Sequence, residues 1–134
     1  AKALVFVRTQ VRVGRVQAHL TKNSIQALSI HGGMDQDERE RNLESFRRKK
    51  SGALIASDVS ARGIDLPGIT HVINYDLPDD PENYVHRVGR TGRGFAKGDA
   101  VSFCSPEEEN KLSKIEDFIQ TKIEELKVDK LFLK

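Results

Sequence analysis

Residues 26–56 read QALSIHGGMDQDERERNLESFRRKKSGALIA, and this stretch decides the fold. Gln26 to Ile30 is short, apolar and β-compatible, and His31-Gly32-Gly33 breaks it. Asp35 then opens a helix, with Glu38 three residues on at the spacing of a capping box. Leu43 and Phe46 give that helix a narrow apolar stripe, and the basic run 47–50 ends it. Gly52 leads into a second apolar run, residues 53–56. Strand, amphipathic helix, strand is a βαβ unit, which places the two strands parallel in one sheet.

The same alternation continues in both directions. Upstream, residues 3–7 (ALVFV) form a β-branched and aromatic strand, Thr9 can cap the next helix, and Val13, Val16 and Leu20 recur at helical spacing. Downstream, the polar loop 57–68 leads to a strand at 70–74. Pro78 and Pro81 punctuate a turn before a helical segment at 82–88, and Gly89, Gly92, Gly94 and Gly98 mark a loop. A fifth strand is expected at 100–104, with Cys104 packed in the core. Ser105-Pro106-Glu107-Glu108 is a helix start, and Leu112, Ile115, Ile119, Ile123 and Leu126 give a helix over 106–126 one apolar face. That face is expected to pack in the core, with docking of a partner as the alternative. Residues 128–134 carry no clear pattern. The expectation is an α/β fold, a parallel sheet with helices on both faces, in one domain.

With 134 residues the chain suffices for one core. Charged residues at 31% and apolar ones at 37% describe a soluble globular chain, with no apolar run long enough for a membrane span and no secretory signal. One cysteine excludes an internal disulfide, and a cytosolic setting follows. A net charge of +2 permits a polyanionic partner without announcing one, so the placement of charges matters more than their sum.

In parallel sheets ligands sit outside the carboxyl ends of the strands. The loops of interest are expected there: after Arg8, at 31–33, at 57–65 and around 89–94. HRVGRTGR, residues 86–93, spaces Arg87, Arg90 and Arg93 by three with glycines between. Arginine forks suit phosphate oxygens, and glycines let the backbone turn tightly. On spacing alone a phosphate-binding element and a basic surface loop are equally good readings. SDVSARGID, residues 57–65, follows a strand, where a hydroxyl and amides can hold phosphate and Asp65 can accept from ribose hydroxyls. An Asx-rich connecting loop explains the same spacing. Gln36 and Arg39 share one side of a helix's first turn, fit for a nucleic-acid backbone or for a plain solvated face. No GxxxxGK[ST] loop, metal-ligand spacing or hydroxyl–histidine–carboxylate triad occurs in the sequence. The four histidines therefore read as structural or polar-network residues. The chain can assist phosphate chemistry but cannot cradle a nucleotide by the usual loop.

Taken in order, these stretches resemble the second RecA-like domain of the DEAD-box helicases of superfamily 2. Residues 3–9 (ALVFVRT) are similar to motif IV, 31–47 to the segment carrying the QxxR element, 57–65 to motif V and 86–93 to motif VI. Position 57 is Ser where that family commonly has Thr, so the hydroxyl is kept. The resemblance implies a RecA-like domain over 1–127 with a tail over 128–134, in an ATP-dependent RNA helicase. It implies that Arg90 and Arg93 act as arginine fingers, that Gly63 and Asp65 meet ATP, and that Arg62 and His86 couple the domains. Thr9, Gln36, Arg39 and Ser57 would grip the RNA sugar–phosphate backbone without sequence preference. ATP and Mg²⁺ would be held mainly by an N-terminal RecA-like domain absent from this chain. The isolated domain would be monomeric, cytoplasmic and inactive alone. A non-enzymatic RNA-binding or docking module and a DNA-directed helicase are the alternatives.

Overall fold

A computed structural model describes residues 2–57, 66, 68–88 and 99–123. Five strands, β1 (Lys2–Phe6), β2 (Ala27–Ile30), β3 (Gly52–Ala56), β4 (His71–Asn74) and β5 (Asp99–Ser102), form one sheet in the order β2-β3-β1-β4-β5. Every pairing is parallel, as the βαβ reading requires. Among the described residues the helices are α1 (Gln10–Lys22), α2 (Gln36–Arg48), α3 (Pro81–Val88) and α4 (Glu109–Ile119), the last preceded by a 3₁₀ turn at Pro106–Glu108.

The period-two alternation of β1 sorts its side chains to two faces. Leu4 and Phe6 join Leu43 and Phe46 of α2, with Leu54 and Val72, in one core layer. Val5 and Val7 join Val13 and Val16 of α1, with Ile55, in the other. α1 and α2 thus cover opposite faces of the sheet. Full burial of each large side chain contributes about 1.5–3 kcal/mol. Leu77, Tyr84 and Ile115 form a third cluster, on which Leu112, Ile119 and Ile123 pack. The apolar face expected downstream of Ser105 therefore belongs to the fold.

The expected caps form. Thr9 Oγ1 accepts from the Arg12 N–H at 3.3 Å, and Asp35 Oδ1 from the Glu38 N–H at 2.8 Å. Gly52 has φ +120, and a Cβ there would meet the Gln26 carbonyl oxygen at 3.0 Å, so a side chain would be strained on both counts.

Two expectations need correction. β5 ends at Ser102, two residues short of the expected strand, so Cys104 falls in the turn toward Ser105 and is exposed rather than packed in the core. α4 stops at Ile119 because Gln120 adopts the left-handed conformation, φ 58, that closes a helix. Leu126 and the 127/128 boundary lie outside the described residues. Among the described residues no helix is long and apolar enough to cross a membrane.

Candidate functional site at the carboxyl edge of the sheet

The carboxyl ends of the five strands lie along one edge, in the order in which the strands pair. Thr9 follows β1, Ser57 follows β3, and Gln36 and Arg39 open the helix that follows β2. β2, β3 and β1 are consecutive neighbours. Four predicted nucleic-acid contacts, scattered over 49 positions of sequence, thus come from one half of the sheet edge. The sheet extends past β1, because the Val7 N–H still donates to the Ala56 carbonyl at 3.0 Å. That bond fixes the approach of the Thr9 and Ser57 segments to each other.

Thr9 and Gln36 are exposed, while Arg39 and Ser57 are half-buried. Gln36 Nε2 donates to Glu40 Oε1 at 3.0 Å, one turn along α2. Both Gln36 and Arg39 sit in the first turns of α2, where the helix dipole favours an anion. Asp37 and Glu38 in the same turn offset that field. On the neighbouring loop, His31 Nδ1 accepts from the Gly33 N–H at 3.0 Å and lies 3.0 Å from Gln10 Nε2, a polar-network role as expected.

His86 lies on α3 and is exposed, on the other half of the sheet edge. Arg62, Gly63, Asp65, Arg90 and Arg93 lie outside the described residues.

Arg87 departs from the pattern read in HRVGRTGR. It is 3% exposed. Its Nη1 donates to Asn74 Oδ1 at 3.1 Å and to the Asp76 carbonyl at 2.6 Å, and its guanidinium lies 4.9 Å over the Phe6 ring. α3 runs to Val88, so Tyr84 and Arg87, at i and i+3, share its buried side. Arg87 therefore anchors the helix to the ends of β1 and β4 and does not face a phosphate.

A second group was invisible in the sequence. Asp76, 4% exposed just after β4, accepts at Oδ2 from the Arg8 N–H at 2.8 Å and from Arg12 Nε at 2.7 Å. A charge-assisted bond this short is among the strong ones. The bond to Asp76 is the first cause raising the Arg12 pKa above its ordinary value. Leu77, next in sequence, donates its N–H to Glu108 Oε2 at 3.0 Å, and Glu108 Oε1 also receives the Ser105 N–H at 3.2 Å. Above this network an open cleft of about 570 Å³ is lined by Arg8, Arg12, Tyr75, Phe103, Cys104 and Glu107, among others. The partners are 64 and 68 positions apart, which no local spacing reveals.

The family of the helicase conserved C-terminal domain matches residues 1–95. The ATP-dependent RNA helicase DBP2 of Candida albicans is 51% identical over 102 residues, covering 76% of this chain and 18% of that protein. The chain thus spans about a fifth of that curated relative. Among solved structures, E. coli DEAD-box protein SrmB bound to regulator of ribonuclease activity A superposes with a TM-score of 0.91 at 34% identity, over 97% of this chain and 76% of that one. S. cerevisiae Dbp5 bound to RNA and ADP BeF3 superposes with a TM-score of 0.82 at 35% identity, over 92% of this chain and 34% of that one.

Proposed function

Because the chain belongs to the helicase C-terminal domain family, as the RecA-like C-terminal domain of a DEAD-box protein, we propose that it is half of an ATP-dependent RNA helicase. In this reading the whole protein uses ATP to unwind or remodel short RNA duplexes. The carrying observation is the gathering of Thr9, Ser57, Gln36 and Arg39 along the ends of three adjacent strands. That strip suits an extended sugar–phosphate backbone. Hydroxyls and an amide can donate to phosphate oxygens, the Arg39 guanidinium can add charge, and none of them reads a base. The solved Dbp5 relative bound to RNA and ADP BeF3 supports the same substrates.

ATP and Mg²⁺ belong in this reading to the other RecA-like domain, and the metal neutralises charge on the phosphates. Gly63 and Asp65 meet the nucleotide from this side, and Arg62 and His86 join the two domains. Arg90 and Arg93 donate to the γ-phosphate, where negative charge spreads in the transition state. They are seated on it when RNA and ATP draw the domains together, so RNA stimulates turnover above a low basal rate. The domain over 1–127 acts as one body with a short tail, monomeric when isolated, in a cytoplasmic protein.

The test is Arg90→Ala in the full-length protein. RNA-stimulated ATPase should fall by about 10³–10⁵, the contribution typical of an arginine finger. Near-normal turnover would refute the assignment. The separated 134-residue chain should hydrolyse no ATP and bind RNA weakly, with affinity falling steeply as salt rises.

A further inference from the structure

One buried residue, Asp76, ties the segment of the proposed RNA grip at Thr9 to the carboxyl end of α3. We propose that Asp76 is a positioning residue that couples RNA contact at the end of β1 to the setting of the carboxyl end of α3, from which Arg90 and Arg93 follow in sequence. The inference rests on the roles proposed above for Thr9, Arg90 and Arg93.

Asp76 is tied in two directions by different groups. Its side chain holds the Thr9 segment from both flanks. Oδ2 accepts from the N–H of Arg8, immediately before Thr9, at 2.8 Å, and from Nε of Arg12, three residues after it, at 2.7 Å. The Arg12 N–H in turn donates to Thr9 Oγ1 at 3.3 Å. The main chain of Asp76 holds the other element. Its carbonyl accepts from Arg87 Nη1 at 2.6 Å, and Arg87 stands three residues before Arg90. Arg87 is further fixed to Asn74 Oδ1 at 3.1 Å and over the Phe6 ring. The run from Thr9 through Arg12 and Asp76 to Arg87 is therefore continuous in hydrogen bonds.

The Asp76 side chain is 6% accessible and that of Arg12 33%, so water reaches this charge-assisted bond from the Arg12 side only. A displacement of the Thr9 segment when RNA binds reaches the Asp76 backbone through the same residue. From there it reaches Arg87 and the carboxyl end of α3. A measured interaction between the two ends tests the coupling. Asp76→Asn is informative because it keeps the shape, an acceptor for the Arg8 N–H and the carbonyl for Arg87. It removes only the charge facing Arg12.

The experiment uses the full-length protein and a homopolymeric RNA. ATPase is measured with and without RNA for wild type, Asp76→Asn, Arg12→Gln and the double variant, with thermal melts alongside. RNA-stimulated kcat should fall ~10–100-fold, as slight misplacement of a catalytic group does, while RNA-free ATPase and the KM for ATP stay within about twofold. The double variant should be no worse than the poorer single one, since both remove the same bond. Equal losses with and without RNA would reduce Asp76 to a structural role and overturn the proposal. So would unchanged RNA stimulation or additive losses. Should Asp76→Asn fail to fold, Arg12→Gln carries the test alone, because Arg12 is a third exposed and its replacement leaves the buried α1 residues Val13 and Val16 in place. If Arg90→Ala also leaves turnover intact, the arginine-finger reading itself fails. If Arg90→Ala abolishes turnover and Asp76→Asn leaves RNA stimulation whole, only the coupling fails.

Discussion

Replacing Arg87 by Met separates the buried anchor from the phosphate-facing arginine that its place in HRVGRTGR suggests. The substitution keeps a long apolar stem over Phe6 and removes the guanidinium. Two acceptors lose their donor: Asn74 Oδ1, on a side chain with no exposure, and the Asp76 carbonyl. Each buried acceptor left unsatisfied costs about 1–3 kcal/mol. The contact with the Phe6 ring, 4.9 Å from the guanidinium carbon, adds up to ~2 kcal/mol. Relief from burying a charge offsets part of this. The net expectation is a loss of ~3 kcal/mol, a large fraction of the ~5–15 kcal/mol that holds a domain folded. For a chain of this length that is a fall in Tm of ~10 °C. Urea and thermal unfolding of the 134-residue chain read it directly. Arg87→Lys should recover about half, since an ammonium carries charge but not the fork that spans two acceptors. A loss under ~0.5 kcal/mol, the size of an ordinary surface substitution, would refute the anchor and return Arg87 to the surface.

Two further outcomes follow from the fold. Glu108→Ala should destabilise the chain by ~2 kcal/mol, because the N–H of buried Leu77 loses its acceptor together with the Ser105 N–H. Glu108→Gln, which keeps one acceptor but sets an amide N–H₂ against the other donor, should cost about half of that, and equal losses in urea melts would count against the link. Lys111 Nζ lies 2.9 Å from Asp79 Oδ1, and its hydrogen bond and then its charge hold the Asp79 carboxyl below its ordinary value. A carboxyl lowered in the folded state contributes above its unfolded pKa of ~4 and loses that contribution as pH falls through the lowered native value. Asp79 is 82% exposed, so the ion-pair share of the Lys111→Ala cost should be only ~0.2–1 kcal/mol at pH 7, less in high salt, and should vanish near pH 2. A cost independent of pH would exclude the ion pair as its source.

What the sequence disclosed and what it hid divide along the range of the interaction. The alternation of β1, the stripes of α1 and α2 and the caps at Thr9 and Asp35 are local patterns, and each formed as read. Strand ends are weaker signals. Residues 100–104 are uniformly β-compatible, yet pairing with β4 stops at Ser102 opposite Asn74, and Cys104 turns outward. Arg87 was misread for a different reason. Three arginines spaced by three in a glycine-containing run look like one surface unit. The first of them precedes the first glycine and still belongs to a helix. The pattern of Tyr84, Arg87 and Val88, at i, i+3 and i+4, already marked an inward face. A charged residue on such a stripe is a candidate for a buried, bonded role, because an arginine so placed must find acceptors. Its acceptors, and those of Arg12, come from the turn after β4, whose sequence Asn74-Tyr75-Asp76 carries no periodic mark. Only the parallel pairing of β1 with β4, Phe6 opposite Asn74, brings that turn against the Thr9 segment. The groups proposed to touch ligands stand in the sequence as short motifs. The groups that hold those motifs in register exist only once the sheet has closed.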